Sequence, residues 1–106
     1  MTVLDLIGSV TKFAEKTLMK VYRAASDAGA HRILLNLSKV DHINSSGIAI
    51  LISLVSETQK RSQQLGIICP NEHFRRVFQI VGLHQYAPLH ASEEEGLAAM
   101  AAAQKP

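Results

Sequence analysis

The sequence predicts an α/β fold with a mainly parallel sheet of about four strands, on three observations. Short apolar runs alternate with helically spaced ones in the order strand, helix, strand, helix, strand, helix, strand, helix. Alternation of this kind builds parallel strands joined by right-handed crossovers. The run Ile33-Leu34-Leu35-Asn36-Leu37 is almost continuously apolar, as in a strand covered on both faces. A composition of 47% apolar against 19% charged residues excludes a disordered chain.

Each element has its own signal. Residues 3–10 read as a strand, and Thr11 suits the cap of the helix that follows. From 12 to about 28, Phe13, Leu18, Val21, Tyr22, Ala25 and Ala28 fall at helical spacing, and Gly29 is a natural stop. Lys12, Lys16, Lys20 and Arg23 lie on the opposite face, which reads as solvated. After the strand at 33–37, residues 38–44 read as a loop. A long apolar helix begins near Ser45 and carries Ile48, Leu51, Ile52, Val55 and Gln59, with Ala49, Ile50 and Leu54 widening its buried face. Its polar last turn, with Lys60, Arg61, Gln63 and Gln64, suits the negative end of the helix dipole. Leu65 to Cys69 form the next strand, Pro70 ends it, and Asn71 caps a helix containing Phe74, Val77, Phe78 and Val81 that stops at Gly82. Gln85 to Leu89 read as a short edge strand, where Pro88 is tolerated. Ser92-Glu93-Glu94-Glu95 match a capping box, opening a last helix with Leu97, Ala98, Met100 and Ala101.

Composition removes several classes of function. A length of 106 residues is one domain. Eleven Lys and Arg against nine Asp and Glu, with three Phe, two Tyr and no Trp, supply neither the charge nor the stacking platform for nucleic acid. One cysteine makes no internal disulfide. No apolar run is long enough to cross a membrane, and Met1 to Val10 carry Asp5 without a basic n-region, so no signal peptide is expected. The expectation is a cytoplasmic protein that neither inserts into membranes nor binds nucleic acid.

The segment richest in chemistry is Val40-Asp41-His42-Ile43-Asn44-Ser45-Ser46-Gly47-Ile48. It joins a buried strand to an apolar helix, and loops beyond the carboxyl ends of parallel strands are where such sheets place function. Asn44 and Ser45 are both good helix caps. The first helical turn has free N–H groups and a partial positive charge, so it tolerates an added anion. A phosphorylated serine there would gain roughly −1.5 to −2 charges. Gly47 lowers helix propensity, which suggests that another backbone or protein approaches it closely. An ordinary helix cap with a packed glycine accounts for the same residues.

Ile43-Asn44-Ser45-Ser46-Gly47-Ile48, following Arg32 to Val40, resembles the STAS domain of bacterial anti-sigma factor antagonists. The resemblance continues in Phe74 to Leu83 and closes with the Ser92–Met100 helix, so it covers most of the chain as a single STAS domain, 1–106. It implies a STAS-like fold with helices packed mainly on one face. It further implies a binding switch without catalytic activity or cofactor. The partner is an anti-sigma factor that is also a serine kinase and binds any ATP, and a separate serine phosphatase resets the switch. Carried over by position, Ser45 is the phosphorylated residue, and Asn44, Ser45, Ser46, Gly47 and Ile48 form the partner-binding segment. Asn44 stands where the family more often has Asp; it keeps the capping oxygen and removes a negative charge beside the acceptor. The family also has a strand before the one placed at 3–10, so either the sheet is one strand short or its start differs. The same fold serves as a non-phosphorylated subunit of stress-signalling scaffolds and of lipid-transport ABC complexes.

Other constellations are weaker. Cys69-Pro-Asn-Glu-His-Phe-Arg75 has the cysteine-to-arginine spacing of cysteine phosphatases, which would make Cys69 the nucleophile and Arg75 the phosphate ligand. Pro70 lacks an N–H, however, and the loop has no glycine to turn donors inward. His31, His42, His73, His84 and His90 form no close ligand pair, so no metal is expected. Asp41 and His42 near Ser45 lack the Gly-x-Ser-x-Gly elbow of a hydrolase. Arg75 and Arg76 read as solvated.

Overall fold

The computed structural model describes residues 2–102. Among them are four strands, β1 (Thr2–Val10), β2 (Arg32–Ile43), β3 (Gln64–Ile68) and β4 (Leu89–His90), and four helices, α1 (Glu15–Asp27), α2 (Ser45–Lys60), α3 (Glu72–Ile80) and α4 (Glu93–Ala102). Strand order follows chain order, β1-β2-β3-β4, and every pairing is parallel.

Alternation along β2 divides the core. Ile33, Leu35 and Leu37 join Leu18, Tyr22, Leu51, Leu54 and Phe78 on the face covered by α1, α2 and α3. Leu34 points the other way, to Ile68 and Met100 under α4. Gly96 allows that helix to lie close, because a Cβ there would stand 3.2 Å from Ile68 Cγ1 and 3.3 Å from Leu34 Cδ2. Three helices on one face and one on the other agrees with the packing mainly on one face that the resemblance implies.

Residues 38–44, expected to be loop, continue β2 as far as Ile43. Two bulges explain why. The register passes from Asp5↔Asn36 to Ile7↔Lys39 and from Gly8↔Val40 to Ser9↔His42, each time leaving one extra residue on β2. Inward positions therefore recur every third residue, Leu37, Val40 and Ile43, with exposed residues between them. That spacing erases the period-two pattern of a strand. Asn36 braces the first bulge: its Nδ2 donates to Asp5 Oδ1 (2.9 Å), and its Oδ1 accepts from Ser38 N (3.0 Å) and Ser38 Oγ (2.6 Å). Because β3 pairs only with Arg32 to Asn36, the rest of β2 runs on with β1 alone as a two-stranded ribbon.

The expected edge strand at 85–89 is also corrected. Leu83–Gln85 form a 3-10 turn, and only Leu89 and His90 pair with β3. Pro88 just precedes the strand, where its carbonyl accepts from Ile67 N (2.8 Å). Helix α1 starts later than the spacing suggested, after a 3-10 turn over Lys12–Ala14, and this leaves Phe13 exposed instead of buried. At the far end of α1 the Tyr22 hydroxyl donates to Gln63 Oε1 (2.6 Å), while Gln63 Nε2 donates to Ser26 Oγ (2.8 Å) and Ala30 O (3.1 Å). These bonds pin α1 to the turn between α2 and β3.

Candidate functional site

The ribbon of β1 and β2 carries the start of α2 to the carboxyl rim of the sheet. Val10 and Ile43 are register partners at its end. One residue later Asn44, in extended conformation, caps α2: its Oδ1 accepts from Gly47 N (2.9 Å), and its own N–H donates to Val10 O (3.4 Å). The capping role expected of either Asn44 or Ser45 thus falls to Asn44. Ser45 and Ser46 occupy the first two helical positions and are exposed. The first turn of α2 contains no acid, so an anion on Ser45 meets the positive end of the helix without a like charge in that turn.

Gly47, expected on the binding surface, is buried. A Cβ on it would collide with the Val10 carbonyl oxygen, 2.8 Å from the carbonyl carbon and 3.1 Å from Ile43 Cγ2. Its role is to let the helix sit down on the end of β1, which is one of the two readings the sequence left open. Ile48 is half-buried behind it. Farther along α2 the solvent face is made of Ala49, Ile52, Ser53 and Ser56. Ala49 and Ile52 had been expected to face the core.

Phe13 was misplaced by the sequence reading. The turn before α1 packs against α2, and Thr11 Oγ1 accepts from Phe13 N (3.3 Å). The residue is 82% exposed, with Lys12 Nζ 5.2 Å from its ring centroid. A signal was present: Leu18, Tyr22 and Ala25 share one stripe, and stepping back four from Leu18 reaches Ala14, not Phe13.

The cysteine constellation does not assemble. Cys69 is fully buried in the larger core, and burial pushes its thiol up from the ordinary range, against the weaker lowering effects of the Asn71 backbone and Arg75. A nucleophile needs the reverse, an accessible thiolate. Arg75 lies 3.9 Å from Glu72 on its own helix. Among the described residues no three His, Cys, Asp or Glu side chains gather as a metal site, and no helix is long and apolar enough to cross a membrane.

A parallel sheet whose strands follow chain order, with three helices on one face and one on the other, defines a class of fold that known proteins share. The family model of the STAS domain matches residues 1–96, and the chain belongs to that family. It is 27% identical over 99 residues to BtrV of Bordetella bronchiseptica, provisionally named an anti-sigma factor antagonist, covering 93% of this chain and 85% of that one. The crystal structure of an anti-sigma factor antagonist from Mycobacterium paratuberculosis matches with a TM-score of 0.76 at 21% identity, over 92% of this chain and 82% of that one. The anti-sigma factor antagonist SpoIIAA matches in two states. The unphosphorylated form gives a TM-score of 0.71 at 20% identity, over 99% of this chain and 91% of that one. The phosphorylated Bacillus form gives 0.70 at 24%, over 93% and 90%. Likeness of this degree establishes the shared fold.

Proposed function

We propose that this chain, a single STAS module, is an anti-sigma factor antagonist that binds an anti-sigma factor serine kinase through the α2 rim and is released by phosphorylation at Ser45. The observation that carries this reading is the exposure of Ser45 at the first position of α2, beside a cap that needs no help from it. Asn44, Ser45, Ser46 and the open part of Ile48 supply the contact, and Gly47 supplies the backbone approach beneath it. A dianion on Ser45 is well tolerated in the free protein. Trapped in a docked interface it loses water without gaining a matched partner. A difference of a few kcal/mol changes affinity by ~10²–10³. The chain needs no cofactor or catalytic step of its own, and a serine phosphatase restores the binding form.

The test has two arms. Intact mass after incubation with ATP and the cognate anti-sigma factor serine kinase should rise by one phosphate, mapped to Ser45. In titrations against that kinase, Ser45→Ala should bind as wild type and Ser45→Asp should bind more weakly. Equal affinities for all three would overturn the switch. Asn44 in the place of the family's more common Asp favours a second reading, a constitutive STAS subunit of a stress-signalling scaffold or lipid-transport complex. Stable co-purification with an ATPase and permease, with Ser45 unmodified, would favour it.

A further inference from the structure

Exposure alone does not single out Phe13, since Ile80 on α3 is 77% exposed. Its position does. Val10 and Ile43 end adjacent strands in register; Phe13 lies three residues beyond one and Ser45 two beyond the other. Both α1 and α2 therefore begin on the same rim. The turn that presents the ring is held by hydrogen bonds: besides the Thr11 cap, Ala14 N donates to Thr11 O (2.9 Å). The serine motif itself offers little area, because Ser45, Ser46 and Ala49 are small and Ile48 is half-buried. Binding energy at protein interfaces concentrates in a few rigid, desolvated anchors, aromatic ones above all. Charge on α1 and the 3-10 turn before it has one sign in excess, while Asp41 near the end of β2 is an exposed acid. Lys12 in the turn and Lys16, Lys20 and Arg23 on α1 are all exposed, with Glu15 and Asp27 as the acids of that helix. Among the described residues none of the four cations is in an ion pair; the pairs found are Arg61–Glu57 and Arg75–Glu72. The acidic cluster Glu93, Glu94 and Glu95 starts α4, which lies across the sheet.

We infer that Phe13 is the anchor by which the Ser45 rim grips its protein partner, seating its ring in an apolar pocket whose border is acidic opposite Lys12 and Lys16. The inference rests on the functional reading above, which puts a partner on this rim. It adds the residue that supplies affinity and the chemistry of the surface that receives it. The division of labour is simple: Phe13 holds the partner, and the charge state of Ser45 decides whether the partner can close over the rim.

The test uses the full chain and the purified cognate anti-sigma factor serine kinase. Phe13→Ala should weaken binding by about 30-fold, equivalent to about 2 kcal/mol at 1.4 kcal/mol per decade. Its melting temperature should be unchanged, and the KM for Ser45 phosphorylation should rise at constant kcat. Phe13→Trp should keep affinity within about three-fold, and Ile80→Ala should bind as wild type. Lys12→Glu with Lys16→Glu should slow association and flatten its salt dependence. Wild-type affinity in Phe13→Ala, or an equal loss in Ile80→Ala, overturns the anchor while leaving the Ser45 reading intact. A wild-type chain that neither binds the kinase nor is phosphorylated overturns both. Phe13-dependent sedimentation with phosphatidylglycerol vesicles, with kinase affinity independent of Phe13, would assign the ring to a membrane and also overturn the proposal.

Discussion

Replacing Gly47 by alanine sets two effects of known sign against each other. In an unconstrained helix the change is favourable by about 1 kcal/mol, because alanine has the higher propensity and restricts the unfolded chain. Here the new Cβ would overlap the Val10 carbonyl oxygen and stand 2.8 Å from its carbon and 3.1 Å from Ile43 Cγ2. The first two obstacles are backbone atoms of a paired strand and cannot rotate aside. Overpacking of this kind costs about 3 kcal/mol or more, leaving a net loss of about 2 kcal/mol. At roughly 4–8 °C per kcal/mol for a domain near this size, the melting temperature should fall by about 10 °C. The entrance of α2 must also lift, stretching the bond from Asn44 N to Val10 O, already 3.4 Å, and displacing Ser45. Thermal and urea unfolding followed by circular dichroism measure the first effect and, on the function proposed above, the rate of Ser45 phosphorylation measures the second. Ala49→Gly, at an exposed site of the same helix, isolates propensity and should lose about 1 kcal/mol. A Gly47→Ala protein as stable as wild type, or more so, would refute the close-approach account.

Further outcomes follow from the same contacts. Asn44→Ala removes the acceptor of the Gly47 N–H and should cost about 1 kcal/mol in urea unfolding. Asn44→Asp keeps the acceptor, places a negative charge at the helix start and should stabilise by about 0.3–1 kcal/mol at low salt. Cys69 should resist alkylation under native conditions and react at once in denaturant, since it is fully buried; rapid labelling of the folded protein would contradict this. Burial raises both the Cys69 thiol and the Tyr22 hydroxyl in the folded state. Folded protein therefore holds these protons at pH values where unfolded chain releases them. Their contribution to stability is complete below the unfolded-state values and lost as pH climbs through the folded ones. Unfolding free energy should accordingly decline above roughly pH 8.5, and Cys69→Ala should reduce the early part of that decline.

Local signals in the chain were read well where their physics is local. Asn44 and Asn71 cap α2 and α3 as expected, because a short polar side chain finds its donor within three residues, whereas Thr11, expected to cap α1, caps the 3-10 turn before it. The Ser92–Glu95 box forms with a shift: Glu95 N donates to Ser92 Oγ (3.2 Å), but Glu95 Oε2 reaches back to Ala91 N (3.1 Å) instead of the cap's own N–H. Reading failed where pairing with a distant segment rewrote the pattern. The polar stretch from Ser38 to His42 is strand only because β1 lies beside it and absorbs two bulges.

The order of elements, the parallel sheet and the location of a serine at a strand-to-helix junction were determined by the chain alone, through short-range periodicity and capping. Folding decided which of those residues meet water. Gly47 went under the rim because Val10, thirty-seven positions earlier, ends at the same height. Cys69 was closed into the core by helices on either side of it in sequence. Phe13 was turned outward by a 3-10 turn that puts it off the α1 stripe. Exposure is a property of three-dimensional neighbours, and in this protein it separates the residues that shape the rim from those left open to solvent.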